Sequence, residues 1–243
     1  MWLALYKKEL NGFFYNRSAY AILAAYLVLS LLAAVFLGMY FVVDNPSMRS
    51  YFAFQPHILL MVVPALTMKL WAEENKTGTL EILMTLPIND WTLITAKFAA
   101  AWSVAALMLL MSVPLAVSTA WVIDTDTLNI MSSYAGAFFA AGVLASLGCF
   151  VSCLTSVPAA AYLLSVLLGW AVIGLNLSPL LSWPLSFLPD APFLLPEALN
   201  FSMRYQSFLS GLLTPDSFFY FISLICLLLF FNRLAVAAKR SGK

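Results

Sequence analysis

"FAAAWSVAALMLLMSVPLAVSTAWV", residues 98–122, runs for twenty-five positions without one ionisable side chain. About 20 mostly apolar residues in a helix are enough to cross a bilayer, so this stretch reads as a spanning helix. The chain around it has the same character: 63% of its 243 residues are hydrophobic, 9% are charged, and the mean hydropathy is +0.93. Soluble domains hold about 45–50% apolar and about 25% charged residues. The expected fold is therefore all-α, a polytopic membrane protein forming one domain over residues 1–243. A formal charge of +1 gives no reason to expect nucleic acid or an acidic substrate.

Working outward from 98–122, five further candidate spans lie near 19–43, 54–70, 131–154, 159–175 and 218–231. Ahead of the first, Leu3, Tyr6, Leu10, Phe13 and Phe14 recur near helical spacing with Lys7, Lys8 and Glu9 on the other side, the pattern of an interfacial helix. No small-residue cleavage site follows a short apolar core, so this start does not read as a cleaved signal peptide. Orientation follows from the basic residues. Six spans place Lys7, Lys8, Arg17, Lys69, Lys76, Lys97, Arg233, Lys239, Arg240 and Lys243 on one side, with only Arg49 and Arg204 opposite. Both termini and the loop after the second span are expected in the cytoplasm. Asp44, Asp124, Asp126, Asp190, Glu197 and Asp216 fall on the outer face.

Ionisable residues inside spans mark ion paths or proton relays, and here His57 stands alone. A single histidine makes neither a bis-histidine haem site nor a multi-histidine metal site, so a packed or hydrogen-bonded structural role is expected. Pro64 and Pro114 read as kinks. Cys149, Cys153 and Cys226 lie in apolar segments without ligand spacing and read as small hydrophobes. Ala137, Ala141, Ala145, Cys149 and Cys153 form a row of small residues every fourth position, which serves either packing within the subunit or a subunit interface.

Six of the twelve prolines, Pro179, Pro184, Pro189, Pro192, Pro196 and Pro215, fall between Leu177 and Ser217, so no single helix runs through that region. "SPLLSWPLSFLPDAPFLLP" (178–196) reads as a broken segment dipping into the outer leaflet or lying on other helices; an ordinary long loop is the alternative. Phe201, Tyr205, Phe208, Leu209 and Leu212 then form the stripe of an outer-face amphipathic helix, with Pro196 near its start.

Between spans two and three lies "EENKTGTLEILMTLPIND", residues 73–90. Thr79 is placed to cap the first turn of a short helix, Glu81 suits its positive end, and Pro87 ends it after about two turns. Leu80, Leu83 and Met84 share one face, and Glu81 and Thr85 another. A second helix begins at Asp90 and runs into span three. Helices this short are marginal alone, so either a partner holds them or the segment is a passive interfacial connector.

The chain resembles the ABC-2 type transporter permeases, in particular the six-span branch that includes the gliding-motility-associated permease. The resemblance covers essentially the whole chain. It rests on "LYKKELNGFFYNRSAY" (5–20), "EENKTGTLEILMTLPINDWTLITAKF" (73–98) and "RYQSFLSGLLTPDSFFYFISL" (204–224). It implies that the loop after span two is a cytoplasmic coupling helix docking on an ATP-binding subunit. By position, the coupling residues are Glu73, Glu74, Lys76, Gly78, Thr79, Leu80, Glu81, Leu83 and Pro87. One departure is Ser210 before Gly211, where a basic residue is more usual.

The resemblance further implies export or mechanical work on something outside, in a bacterial inner membrane, with gliding-type and copper-enzyme-maturation permeases as neighbours. Its partners would be cytoplasmic ABC ATPase subunits, a second permease copy or a related permease, and a periplasmic or membrane accessory protein, all within membrane lipid. No G-x-x-x-x-G-K-[ST] loop is present, so the chain is not itself expected to be an enzyme or to hold a cofactor; ATP and Mg would be bound by the partner ATPase. Two other classes remain open: a structural or assembly membrane subunit without transport, and an intramembrane enzyme, for which no paired catalytic side chains are visible.

Overall fold

In a computed structural model the described residues are 1–37, 48–85, 88–122, 127–174 and 200–241. Among them the regular secondary structure is helical, without a strand. Ten α-helices follow in chain order. They are α1 (Trp2–Tyr15), α2 (Arg17–Leu32, continued by a π-helical turn Ala33–Leu37), α3 (Met48–Thr67), α4 (Lys69–Thr77) and α5 (Thr79–Thr85). After these come α6 (Asp90–Val122), α7 (Thr127–Leu154), α8 (Pro158–Gly174), α9 (Phe201–Leu209) and α10 (Pro215–Ser241).

Five helical stretches are long and apolar enough to cross a membrane: Arg17–Phe36, Met48–Thr77, Asp90–Ser118, Thr127–Leu154 and Pro215–Arg240. The expected fifth span corresponds to α8, apolar but only 17 residues long. The end of the expected first span, and Asp44, Asp124, Asp126, Asp190, Glu197, Lys243 and the prolines from Pro179 to Pro196, lie outside the described residues. Leu110, Leu163, Leu167 and Phe219 are each more than 60% exposed on the outside of the bundle. Apolar surface of this kind is costly in water and suits lipid. The sequence is thus that of an all-helical, membrane-embedded protein.

At the centre stands α7, against which α3, α6, α8, α9 and α10 all pack. Lipid tails are as apolar as leucine, so spanning helices associate through close packing and polar contacts rather than hydrophobic transfer, and small residues permit the approach. The row Ala137, Ala141, Ala145, Cys149 and Cys153 is completely buried inside this one chain. Of the two roles open to it, packing within the subunit is the one observed. Interleaved with the row, Gly136 faces Phe208, Gly142 faces Trp102, and Gly148 faces Thr67. A hydroxyl network, with Ser30 Oγ 2.6 Å from Tyr51 OH and Ser112 Oγ 3.2 Å from Tyr134 OH, links α2 to α3 and α6 to α7.

Gly148 gives the sharpest packing prediction. A Cβ there would sit 2.0 Å from Thr67 Oγ1 and 2.9 Å from Thr67 Cβ. Gly148→Ala should therefore destabilise by about 1–3 kcal/mol through overpacking. Gly12→Ala, whose Cβ meets nothing within 4 Å, is the matched control. Thermal unfolding in detergent should show a lowered midpoint for the first and none for the second.

The two predicted kinks behave differently. Helix α6 continues through Pro114, whereas the helix carrying Pro64 breaks at Met68 and restarts as α4. The serine hydroxyl of α7 fills that break: Ser152 Oγ accepts from Trp71 N and Ala72 N, each at 3.1 Å, and donates to Met68 O at 2.9 Å. Backbone groups freed by the break are thereby satisfied without water. His57 is exposed on α3, with its ring centroid 6.2 Å from that of Phe54.

At the other end of the bundle, α9 seats Phe201, Tyr205, Phe208 and Leu209 as its stripe predicts. Asn200 caps it, accepting from Ser202 N and Met203 N. Tyr205 OH donates to Phe52 O at 2.8 Å, and Ser132 Oγ to Phe208 O at 2.6 Å. Burial pushes the Tyr205 phenol above its ordinary range, so it remains a neutral donor. Leu212 does not join the stripe; it is 61% exposed, because the helix ends at Leu209 and the chain turns at Gly211, φ 75°. A Cβ at Gly211 would meet Asn129 Oδ1, so that side chain would have to move aside.

Candidate functional site

The opposite end of the bundle gathers the start of α6, the ends of α7 and α10, the interfacial helix α1, and α4 with α5. Helix α1 lies along α6: Trp2 Nε1 donates to Thr95 Oγ1 at 3.1 Å, and Tyr6 OH is 2.9 Å from Ser103 Oγ. Leu5, Leu10 and Phe13 pack on the core. Of the predicted stripe, Tyr6, Leu10 and Phe13 are half-buried against the bundle. Leu3 and Phe14 are exposed, whereas Glu9, expected on the polar side, points inward with its side chain 14% exposed.

The reason is Lys97. Its side chain is 1% exposed, and Nζ donates to Glu74 Oε1 at 2.7 Å, Leu70 O at 2.9 Å and Glu9 Oε1 at 3.1 Å. The ammonium also lies 5.0 Å from the Trp71 ring centroid. A lysine taken out of water loses its hydration, and here each of its three N–H donors finds an oxygen. Lys97 thus ties α1, α4 and α6 at one point. Although grouped by sequence with the basic residues of a loop, it belongs to the interior. Leu93, Ile94, Ala100 and Ala101, one helical turn to either side on the same face, are all buried with it.

Helix α4 is braced again at Asn75, whose amide donates to Thr155 O at 2.9 Å and Cys153 O at 3.3 Å and accepts from Lys239 Nζ at 3.0 Å. A neighbouring brace joins Arg240 to Asp90 Oδ1 at 2.8 Å, and Arg233 lies 5.3 Å from the Trp91 ring. The tail of α10 therefore clamps the same corner. Neither Asn75 nor the tail cations stood out in the sequence as partners, because contacts between residues 78 to 164 positions apart carry no local pattern.

From this braced base the chain turns. Lys76 sits in the last turn of α4, where a cation favours the negative helix end. Gly78 closes that helix in the left-handed conformation, φ 74° and ψ −1°. Helix α5 starts immediately, with Glu81 in its first turn. Leu80 is buried and Leu83 is half-buried against the core, while Glu81 and Thr85 are exposed, as the predicted two-faced helix requires. Thr79 is the first residue of α5 rather than the residue before it. Its hydroxyl turns back to α4, 2.9 Å from Thr77 Oγ1 and 3.5 Å from Glu74 O.

Of the residues assigned to coupling, Glu73, Lys76, Gly78, Thr79 and Glu81 are exposed together on this corner, Leu80 and Leu83 anchor it, and Glu74 is drawn inward by Lys97. Pro87 lies outside the described residues. Chemically, the arrangement is a short amphipathic helix standing on an ion-paired base, with its charged side turned to water. No protein-family model matches the chain, and no curated protein matches its sequence.

Proposed function

We propose that this chain is the membrane-spanning subunit of an ATP-driven transporter of the ABC-2 permease type, energised by separate cytoplasmic ATPase subunits that bind ATP and Mg. The observation that carries the reading is the α4–α5 corner. A helix of seven residues is marginal by itself, yet this one is seated by Leu80 and Leu83, held at Gly78, and continuous with a base tied to α1, α6, α7 and α10. Force applied to its exposed charged side would pass directly into the bundle. Closure of the ATPases would move this corner and bias the bundle between two states, toward export or mechanical transmission.

In this reading α8 is the sixth crossing. Six crossings put both termini and α5 on one face, in keeping with the contacts of Trp2, Lys239 and Arg240 at one end of the bundle. The excess of lysine and arginine there makes that face cytoplasmic, in an inner membrane. Single cysteines at two exposed positions test this, in a background lacking Cys149, Cys153 and Cys226. In intact cells an impermeant reagent should label Gln206→Cys and spare Lys76→Cys; the reverse pattern would overturn the topology.

Co-purification decides the function. The tagged full-length chain, extracted in mild detergent, should bring down a protein carrying a P-loop, with two permease-type chains per particle. Recovery of stoichiometric partners without any P-loop ATPase would favour a structural or assembly subunit instead.

A further inference from the structure

Where α3 gives way to α4, the Ser152 hydroxyl of α7 stands inside the helical ladder. Its Oγ accepts from Trp71 N and Ala72 N, each at 3.1 Å, and donates to Met68 O at 2.9 Å. A hydroxyl has one hydrogen and two lone pairs, so this one is fully used. In an unbroken helix Trp71 N would donate to Thr67 O and Ala72 N to Met68 O. The serine also has a second place to go. Ser103, Ser133 and Ser165 each donate to the carbonyl four residues back in their own helix, at 2.7, 2.6 and 2.7 Å. For Ser152 that carbonyl belongs to Gly148. Inserted or withdrawn, the hydroxyl leaves no backbone group stranded, so the two arrangements are comparable in hydrogen bonding.

What lies on either side of the bend decides which part moves. Before it, Gly148 brings α7 against Thr67 with no side chain between them, which pins the end of α3. After it, helical spacing puts Trp71, Ala72 and Asn75 on the face toward α7, and Lys69, Glu73 and Thr77 on the opposite face. That opposite face borders a cavity of about 310 Å³, whose far wall includes Gly12, Phe13 and Asn16 of α1 and its end. A group wedged into one side of a helix holds that side open and bends the axis away from it. Ser152 therefore tilts α4 from α7 toward α1. Across the cavity the tilted face is not closely packed, and the Lys97 cluster ties it to α1 through long side chains that can follow a movement.

We propose that Ser152 is a positioning residue, the pin of a hinge beneath the α4–α5 corner. Inserted, its hydroxyl holds α4 and the α5 it carries tilted toward α1. Withdrawn to Gly148 O, it lets α4 straighten toward α7 into the space the hydroxyl vacates, and the exposed corner moves with it. The purpose of that movement, exchanging force between the corner and the bundle, rests on the transport reading; the hinge itself does not.

The test measures the distance between nitroxide labels at Asn11→Cys and Lys76→Cys, exposed on α1 and α4, in the full-length chain lacking Cys149, Cys153 and Cys226. Ser152→Ala removes the pin and should lengthen that distance by about 3 Å, a small turn of a helix about 14 Å long. The Trp71 and Ala72 amides should stay protected from hydrogen exchange, because the straightened ladder takes them back. Ser146→Ala removes an equally buried hydroxyl of α7, bonded to Val143 O of its own helix, and should change neither reading. An unchanged distance in Ser152→Ala would overturn the hinge, and freely exchanging amides beside it would leave Ser152 as a structural acceptor alone. Failure of Ser152→Ala to accumulate would also overturn it, since the bundle would then not tolerate withdrawal. With Ser152 intact, adding a non-hydrolysable ATP analogue and Mg to the complex with the ATPase should reproduce the lengthening. A complex that binds the analogue at constant distance would overturn the hinge's part in coupling. A chain that lengthens in Ser152→Ala but retains no ATPase would overturn the transport reading and leave the hinge standing.

Discussion

Lys97→Met is expected to destabilise the purified chain by about 3–5 kcal/mol, enough to reduce its yield from membranes sharply. Two carboxylates face this ammonium, Glu74 at 2.7 Å and Glu9 at 3.1 Å, and removing it leaves both without their counter-charge in a half-buried setting. The loss is therefore not the net worth of the ion pair, which is small after desolvation, but the cost of stranding its partners. That distinction has its own test. Adding Glu9→Gln and Glu74→Gln to Lys97→Met removes the stranded charges, and the triple variant should recover most of the lost stability. Thermal unfolding of the three proteins in one detergent checks both steps. A single variant as stable as wild type would mean that water reaches the cluster and screens it; a triple variant no better than the single would assign the loss to packing alone.

How much of this was legible in the sequence depends on the range of the signal. Apolar runs of bilayer length are local, and the helices α6, α7 and α8 fall almost where composition places them. The amphipathic α9 is likewise read from four residues one or two turns apart. Leu212 was misjudged only because Gly211 turns the chain before the stripe reaches it. Within α5, Leu80 and Leu83 against Glu81 and Thr85 follow from helical spacing. The base under that segment was not legible. Glu9, Glu74 and Lys97 lie on three different helices, and each alone looks like an ordinary interfacial charge. Serine 152 is similarly silent in sequence, since nothing marks a single hydroxyl on α7 as the group that fills the break at Met68. Long-range polar contacts of this type depend on how the bundle closes, and periodicity holds no record of that.

Reversing the exposed charge of α5 should break coupling without unfolding the bundle. Glu81 is exposed in the first turn of α5, where a surface charge adds little to folding; under the proposed function it pairs with a basic residue of the ATPase. Glu81→Lys turns that attraction into repulsion and puts a cation at the positive helix end, a combined penalty on the order of one to a few kcal/mol at the interface. Each 1.4 kcal/mol or so is tenfold in affinity, so ATPase retention should fall by roughly ten- to a hundredfold. Gly78→Val acts by another route. With φ at 74° and nothing within 4 Å of an added Cβ, the substitution meets no clash but disfavours the left-handed turn by about 1–2 kcal/mol, tilting α5 away from its seat. Gly78→Asn, which tolerates that conformation, should be close to wild type and separates the backbone effect from loss of glycine as such. None of the three touches a membrane-crossing stretch, so all should reach the membrane at near wild-type levels. The measurements are ATPase retained on the affinity-purified chain and ATP hydrolysis by the assembled complex. If Glu81→Lys and Gly78→Val both keep the ATPase and its activity, the corner is a connector and force enters the bundle elsewhere.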